Sequence, residues 1–462
     1  MKINKKKLMQ SFLIFQFLIL LTFVYIRGYD INYNNVIVLI TFIINGMIII
    51  LNISIDQREY SLNKTFWYFN FFFFFIAPLF QYLSKFKMWD FSISDNLYIK
   101  TNLYVTLCYF SYFITRFLLK KIKKKNSLCV LKVDSTNLSD GDDKSCFVCS
   151  SKIQTILLVL SFLSFLFLAF NISLKGLFSR ELNNLSIGDT TISVILENLF
   201  RSIPIYAFLY NIYYYKIKKS GIFYIILEFV LLVLVNFPTS ITRYWVGLVY
   251  IGIFIAFFDK KITKRKFDIC LIIIFAVIFP IFQLFKWYSI SDLLNGADVS
   301  KRLFEVYNSV DFDAYSMFSR SINFVEKNGI EFGHQLLASI FFLVPRSIWP
   351  TKPNPTGQFI ATQENQFYTN LSCPIFGEGF IDFGMIGAIA YSIILSYLIT
   401  KLDNNFWKKN DENISLINFV YPFLFGILIF LLRGSLQPVV VYTFTFFVFL
   451  FVIKKICFRK KV

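Results

Sequence analysis

The chain has 462 residues, of which 56% are hydrophobic and 20% aromatic, with a formal net charge of +19 and a mean hydropathy of +0.60. That apolar share lies above the composition of soluble domains and excludes a soluble enzyme. Repeated apolar runs, each long enough to cross about 30 Å of hydrocarbon as a helix, exclude a barrel of short alternating strands and predict an all-α bundle.

In chain order the sequence predicts about twelve spans, at residues 8–26, 36–53, 66–84, 97–119, 153–172, 191–215, 221–236, 243–258, 268–287, 376–400, 415–432 and 437–453. The first run follows Lys5 to Lys7 without a small-residue cleavage site, Arg27-Gly28-Tyr29 being a poor one, so it reads as a retained span. With the amino terminus inside, the even-numbered turns and both termini collect Lys120, Lys121, Lys123 to Lys125, Lys260, Lys261, Lys264 to Lys266, Lys454, Lys455 and Arg459 to Lys461. Together with Lys5 to Lys7 they hold roughly 30 of the 47 basic residues, as the positive-inside rule requires. The basicity is therefore topology. It predicts a multi-pass protein of the cytoplasmic membrane with both termini cytoplasmic, and no nucleic-acid partner, because no folded cytoplasmic domain exists to hold one.

The organisation follows from the spans. Residues 1–119 form four amino-terminal spans and 120–152 a cytoplasmic linker running from lysines to Asp134-Ser135-Thr136-Asn137 and Asp140-Gly141-Asp142-Asp143. Residues 153–287 hold the fifth to ninth spans, 288–375 one long external loop, and 376–462 the last three spans and a basic tail. The loop carries Leu303, Val306 and Val310, then Tyr315, Phe318 and Ile322, at helical spacing, which predicts short amphipathic helices capping the bundle. The run Gln335 to Val344 is too short to span. Cys146-x-x-Cys149 lacks a second pair or a nearby histidine, so it reads as two linker cysteines and not zinc ligands. Cys373 alone falls outside, where it has no partner for an intrachain disulfide. No internal repeat marks an inverted-repeat transporter.

Arginine is costly in hydrocarbon, so arginines in spans or at their mouths are functional candidates. Arg201 follows Glu197 by one turn, Arg243 opens a span after Asn236-Phe237-Pro238-Thr239-Ser240-Ile241-Thr242, Arg346 sits in a proline-stiffened segment, and Arg433 lies in the turn Leu432-Arg433-Gly434-Ser435. Arg320 and Lys352 join them. Guanidinium groups bind phosphate through paired hydrogen bonds, so their convergence would receive an anionic lipid head or a pyrophosphate. Against this, Glu197 and Arg201 also read as a self-neutralising pair, and Arg243 and Arg433 as residues snorkelling to headgroups. His334, the only histidine, is a candidate general base. Glu378, between Gly377 and Gly379 at a helix start, is either a base or a cap. Asp311-Phe312-Asp313 is a short acidic pattern and a weak metal signal. No phosphate loop, His-Glu-x-x-His or nucleophile elbow is present, which argues against an ATPase, a zinc protease or an α/β-hydrolase.

Four segments together resemble Wzy-type O-antigen (oligosaccharide repeat-unit) polymerases: the Asn236-Phe237-Pro238-Thr239 turn with Arg243; Pro345-Arg346-Ser347-Ile348-Trp349-Pro350-Thr351-Lys352-Pro353; Gly377-Glu378-Gly379 to Phe383-Gly384; and Arg433-Gly434. The resemblance covers the topology and the second half of the chain; the first 190 residues or so match only as generic apolar helices. It implies a GT-C-like, metal-independent glycosyltransferase without a cofactor, joining undecaprenyl-pyrophosphate-linked oligosaccharides on the outer face of the membrane. Arg201, Arg243, Arg320, Arg346, Lys352 and Arg433 would hold the pyrophosphate, His334 or Glu378 would take the proton, and Trp349 and Tyr368 would stack on sugars. Membrane lipids, a chain-length regulator and a flippase are the implied partners. An O-antigen ligase shares this architecture. A lipid-linked oligosaccharide flippase would instead line a central cavity with charge, and a solute transporter would place more polar residues at mid-span.

Overall fold

The computed structural model describes residues 33–130, 145–178, 190–278, 306–408 and 414–460. The expected span at 8–26, the acidic part of the linker at 134–143, the end of the ninth span and the helical pattern at Leu303 lie outside these residues. The described residues are helical throughout, except for turns and one two-stranded ribbon.

Helix α1 (Tyr33–Ile55) leads to α2 (Leu62–Leu83), whose Phe72–Ile76 stretch relaxes into a π-turn. Every residue of α2 is buried, so its phenylalanines meet protein on all sides, whereas in the other long apolar helices half or more of the apolar window is not buried. Helix α3 (Asp95–Val130) follows, then strand β1 (Ser145–Phe147), α4 (Ser151–Ile172), α5 (Thr190–Lys218), α6 (Ile222–Val235) and α7 (Arg243–Phe258). Helix α8 (Lys264–Ile273) continues into a π-turn. Three shorter helices come next: α9 (Ala314–Asn328), α10 (His334–Ile340) and α11 (Thr356–Gln363). The chain ends with α12 (Ile375–Lys408), α13 (Leu416–Arg433), α14 (Leu436–Cys457) and β2 (Phe458–Lys460). Strand β2 pairs antiparallel with β1, Cys146 opposite Arg459, which ties the end of the linker to the end of α14.

Six of these helices are long and apolar enough to cross a membrane: α1, α2, α4, α12, α13 and α14. Helices α3, α5, α6, α7 and α8 coincide with expected spans but fall short on length or apolarity. In α3 the cause is tyrosine, threonine and Arg116, and in α5 it is Asn198, Arg201, Ser202 and Asn211, these four being buried against neighbours. Two apolar cores result, one around α2, α3, α9 and α12, the other around α5, α7 and α14.

Helix α12 is two helices joined at a break. Phe383 (φ −139°) and Gly384 (φ 63°) leave the helical region and fold residues 375–382 back on the rest. The turn closes because Gly379 and Gly387 touch backbone to backbone, where a Cβ on either would collide with the other. At the far end of α12, Asp403 accepts from the Leu62 and Asn63 amides at 3.0 and 3.4 Å, so it finishes the amino terminus of α2. It also accepts from the Tyr421 hydroxyl at 2.7 Å and pairs with Arg58 at 2.9 Å. Arg116 of α3 completes this buried cluster by binding Asp56 at 2.9 Å. Burial raises the Asp56 carboxyl, but Arg116 and then Arg58 outweigh it and hold the group down at about 2.

Removing one partner of a buried charge cluster costs about 3–5 kcal/mol. Asp403→Ala should therefore lower the unfolding temperature of the solubilised protein far more than Asp403→Asn, which keeps an acceptor for α2. The Asp56 contribution is present above the ordinary carboxylate range and is lost as pH falls through about 2. An Asp403→Ala protein that melts with the wild type would remove this cluster from the account of the fold.

Candidate functional site

A cavity of about 470 Å³ opens where the starts of α7, α11 and α14 meet the end of α13. It lies at the opposite end of the bundle from the lysine-rich turns, since α7 runs from Arg243 at the cavity to the turn at Asp259–Lys261, and α14 from the cavity to Lys454 and Lys455. Its volume is that of a small-ligand site.

One wall is charged. Arg243 holds both oxygens of Asp311 at 3.1 and 3.0 Å, and Arg433 donates from Nε to Asp313 at 3.1 Å, with a second nitrogen 3.6 Å from Asp311. The two arginines differ in access, Arg243 having 60% of its side chain exposed against 16% for Arg433. Asp311 and Asp313 present carboxylates to arginines. Among the described residues no group of three His, Cys, Asp or Glu gathers to hold a metal ion.

The other wall is neutral. Trp89, in the turn between α2 and α3, donates from its indole to Asp313 at 3.3 Å and lies flat against Tyr368, ring centres 5.2 Å apart and 10° from parallel. Trp89 and Asp90 both adopt left-handed backbone, φ 53° and 54°, a conformation costing roughly 1–2 kcal/mol for each non-glycine residue. Arg320 of α9 helps to hold the turn: it pairs with Glu364 at 2.5 Å, reaches the Trp89 carbonyl at 3.5 Å and lies over the Phe91 ring. Gly357 lets α11 press against the strand of chain at Leu371 and Ser372, whose carbonyl oxygens would collide with a Cβ there.

Of the residues singled out in the sequence, the cavity gathers Arg243, Arg433, Tyr368 and the acidic pair Asp311 and Asp313. The others stand apart. Arg201 is buried between α5 and α6, paired with Glu197 at 2.8 Å and donating to the Val235 carbonyl, while its own carbonyl accepts from Asn236 at 3.1 Å. The Asn236 turn is thus a joint: Asn236 also takes the Trp245 indole proton at 2.7 Å. Arg346 donates to the Lys352 carbonyl and to Asn354, both at 2.6 Å, and so folds its own proline segment. Lys352 donates to the carbonyls of Phe341, Phe342 and Val344 just beyond α10. Burial, then the charge of Arg346, push its ammonium below the usual lysine range. Trp349 sits beside the His334 ring, centres 5.6 Å apart.

Glu378 is buried with both oxygens engaged, one accepting from the Leu436 amide at 2.9 Å and the other from the Thr356 hydroxyl at 2.6 Å. It finishes the start of α14 and holds the turn entering α11. Asp382, one turn later, accepts from the Gln335 and Leu336 amides at 3.1 and 3.0 Å and finishes α10. The sequence reading missed Trp89 and Asp382 and took the Asp311–Asp313 pair only as a weak metal signal. Two acidic residues two positions apart were legible there, but their arginine partners are distant in sequence. Nothing in the sequence around Trp89 signals its place.

Comparison of the chain with protein-family models, with curated proteins and with solved structures gives no match.

The two cavity arginines should separate in a stability measurement. Arg433→Ala strands Asp313, of which 2% is exposed, and should cost about 3–5 kcal/mol. Arg243→Ala removes the solvated partner of Asp311, which keeps Arg433 3.6 Å away, and should cost about 1 kcal/mol. Thermal unfolding in detergent reads both, and equal losses would contradict this ordering.

Proposed function

We propose that the chain is a membrane glycosyltransferase polymerising undecaprenyl-pyrophosphate-linked oligosaccharide repeat units into a surface polysaccharide, on the outer face of a bacterial cytoplasmic membrane. The reading is that of a Wzy-type O-antigen or capsule polymerase. It is carried by the cavity itself: two arginines, two carboxylates and an aromatic platform share about 470 Å³ at the end of the bundle away from the basic turns. A diphosphate needs the arginines, a sugar needs the aromatic face, and proton transfer needs a carboxylate. The donor is already activated by its pyrophosphate, so the scheme calls for no nucleotide.

The reaction follows from exchange of partners. Arg243, exposed and paired with Asp311 among the described residues, turns its guanidinium to the incoming diphosphate and releases the carboxylate. The acceptor hydroxyl gives its proton to Asp311 while its oxygen bonds to the anomeric carbon of the donor. The bond from that carbon to the diphosphate oxygen breaks, and the electron pair leaves on undecaprenyl pyrophosphate, stabilised by Arg243 and Arg433. Asp311 takes the role expected of His334 or Glu378, because neither of those lines the cavity. A chain-length regulator and a flippase of the same pathway, with the surrounding lipids, complete the proposed partners.

Deleting the gene should leave the surface glycan as single repeat units, and neither Arg243→Gln nor Asp311→Asn should restore the ladder of chain lengths. Complete polymer accumulating on the carrier lipid would identify a ligase instead. Wild-type chain lengths after deletion would sink the reading.

A further inference from the structure

The neutral wall of the cavity holds hydrogen-bonding groups that can both donate and accept. Gln358 and Asn370 line it with side-chain amides that make no hydrogen bond among the described residues. Ser372, which is 8% exposed, also lines it, and its hydroxyl has no hydrogen-bond partner among the described residues. A buried hydroxyl without a partner is uncommon, because leaving one unmade costs more than a typical bond gains. Beside these groups, Tyr368 is 49% exposed and rests on Trp89, which packs with Met317, Ala361 and Leu371. Trp89 is therefore the floor, and Tyr368 a ring supported from below with surface open to the cavity.

We infer that this wall is the subsite for the acceptor sugar, a neutral pyranose, with the charged wall left for the diphosphate of the donor. The inference rests on the transferase reading and deepens it. A pyranose offers a face of C–H bonds that packs on an aromatic ring and an edge of hydroxyls that both donate and accept. Amides and a serine hydroxyl match that edge because each can donate and accept, which a lysine or a carboxylate cannot. An anionic sugar would compete with the diphosphate for Arg243 and Arg433, whereas a neutral one leaves both arginines to it. The Trp89 indole, by donating to Asp313 at 3.3 Å, joins the two walls and fixes the distance between sugar and diphosphate. Trp89 is accordingly a positioning residue, and Tyr368 a binding residue.

Saturation-transfer NMR on the full chain in nanodiscs, with the methyl glycosides of glucose, galactose, rhamnose and N-acetylglucosamine as probes, tests the subsite. Inorganic pyrophosphate titrated separately tests the charged wall and reports that each variant is folded. At least one glycoside should show transfer, and Tyr368→Ala and Ser372→Ala should each weaken its binding by about tenfold, the scale of one lost contact. Both variants should bind pyrophosphate as the wild type does. Trp89→Phe keeps the floor and loses the indole proton, so it should keep glycoside binding and lose chain extension in the deletion strain. No transfer to any glycoside, or transfer unchanged in Tyr368→Ala and Ser372→Ala, overturns the subsite. If pyrophosphate still binds in that case, the transferase reading survives; the ladder of the deletion strain decides that reading alone.

Discussion

Helix α12 supplies the carboxylates that finish three other helices, and the rest of the structure depends on this. A helix that begins among apolar side chains leaves amides without water to bind, and each is expensive unless something accepts from it. Glu378 accepts from the start of α14, Asp382 from the start of α10 and Asp403 from the start of α2. All three acceptors come from one element, so the break at Phe383 and Gly384 sets where two of these helices begin relative to the third. The close approach of Gly379 and Gly387 is thus a constraint on the whole cavity end.

The two charged clusters of the molecule serve different ends. At the lysine-rich end, Asp56, Arg58, Arg116 and Asp403 are closed off and cross-linked by Tyr421, Ser61 and Asn63, so every charge has several partners. Such a cluster holds register between helices. At the other end, Arg243 and Arg433 pair with two carboxylates on one wall of a cavity, and one of the arginines is mostly solvated. That asymmetry makes a site: the less exposed arginine keeps its aspartates in place while the exposed one is free to change partners. The strained turn at Trp89 and Asp90 is found here and is held by Arg320.

Much of the fold was legible in the sequence because apolar runs and lysine placement are local signals. The helices fall where those runs lie, although α3 and α5 read as spans while carrying enough polar side chains to be packed in protein. The site was legible in part. Arg243, Arg433 and Tyr368 stood out as arginine at a span mouth and aromatic in a loop. Arg201, Arg320, Arg346 and Lys352 stood out for the same reason, yet the structure gives each a carboxylate or carbonyl partner away from the cavity. Sequence could not separate the two groups, because whether an arginine is spent on a structural partner depends on residues far along the chain. Glu378 was read as a cap or a base; it does cap a helix, but α14 and not its own.

The proline-stiffened segment shows how far such local stiffness reaches. Arg346 binds carbonyl and amide groups six and eight residues ahead, which closes the segment on itself and carries Lys352 back to the carbonyls that follow α10. Asp382 holds the amides at the other end of the same helix. A seven-residue helix, too short to persist alone, is therefore clamped between a negative group at its start and a positive one just past its end, as its dipole favours. The segment then delivers Pro355 to the cavity, and behind it Thr356 meets Glu378 and Gly357 donates to Ser435 at 3.1 Å. Its effect on the site is mechanical. By fixing where α11 starts, it sets the position of Gln358 and, through the contact at Gly357, of Leu371 and Ser372 on the neutral wall.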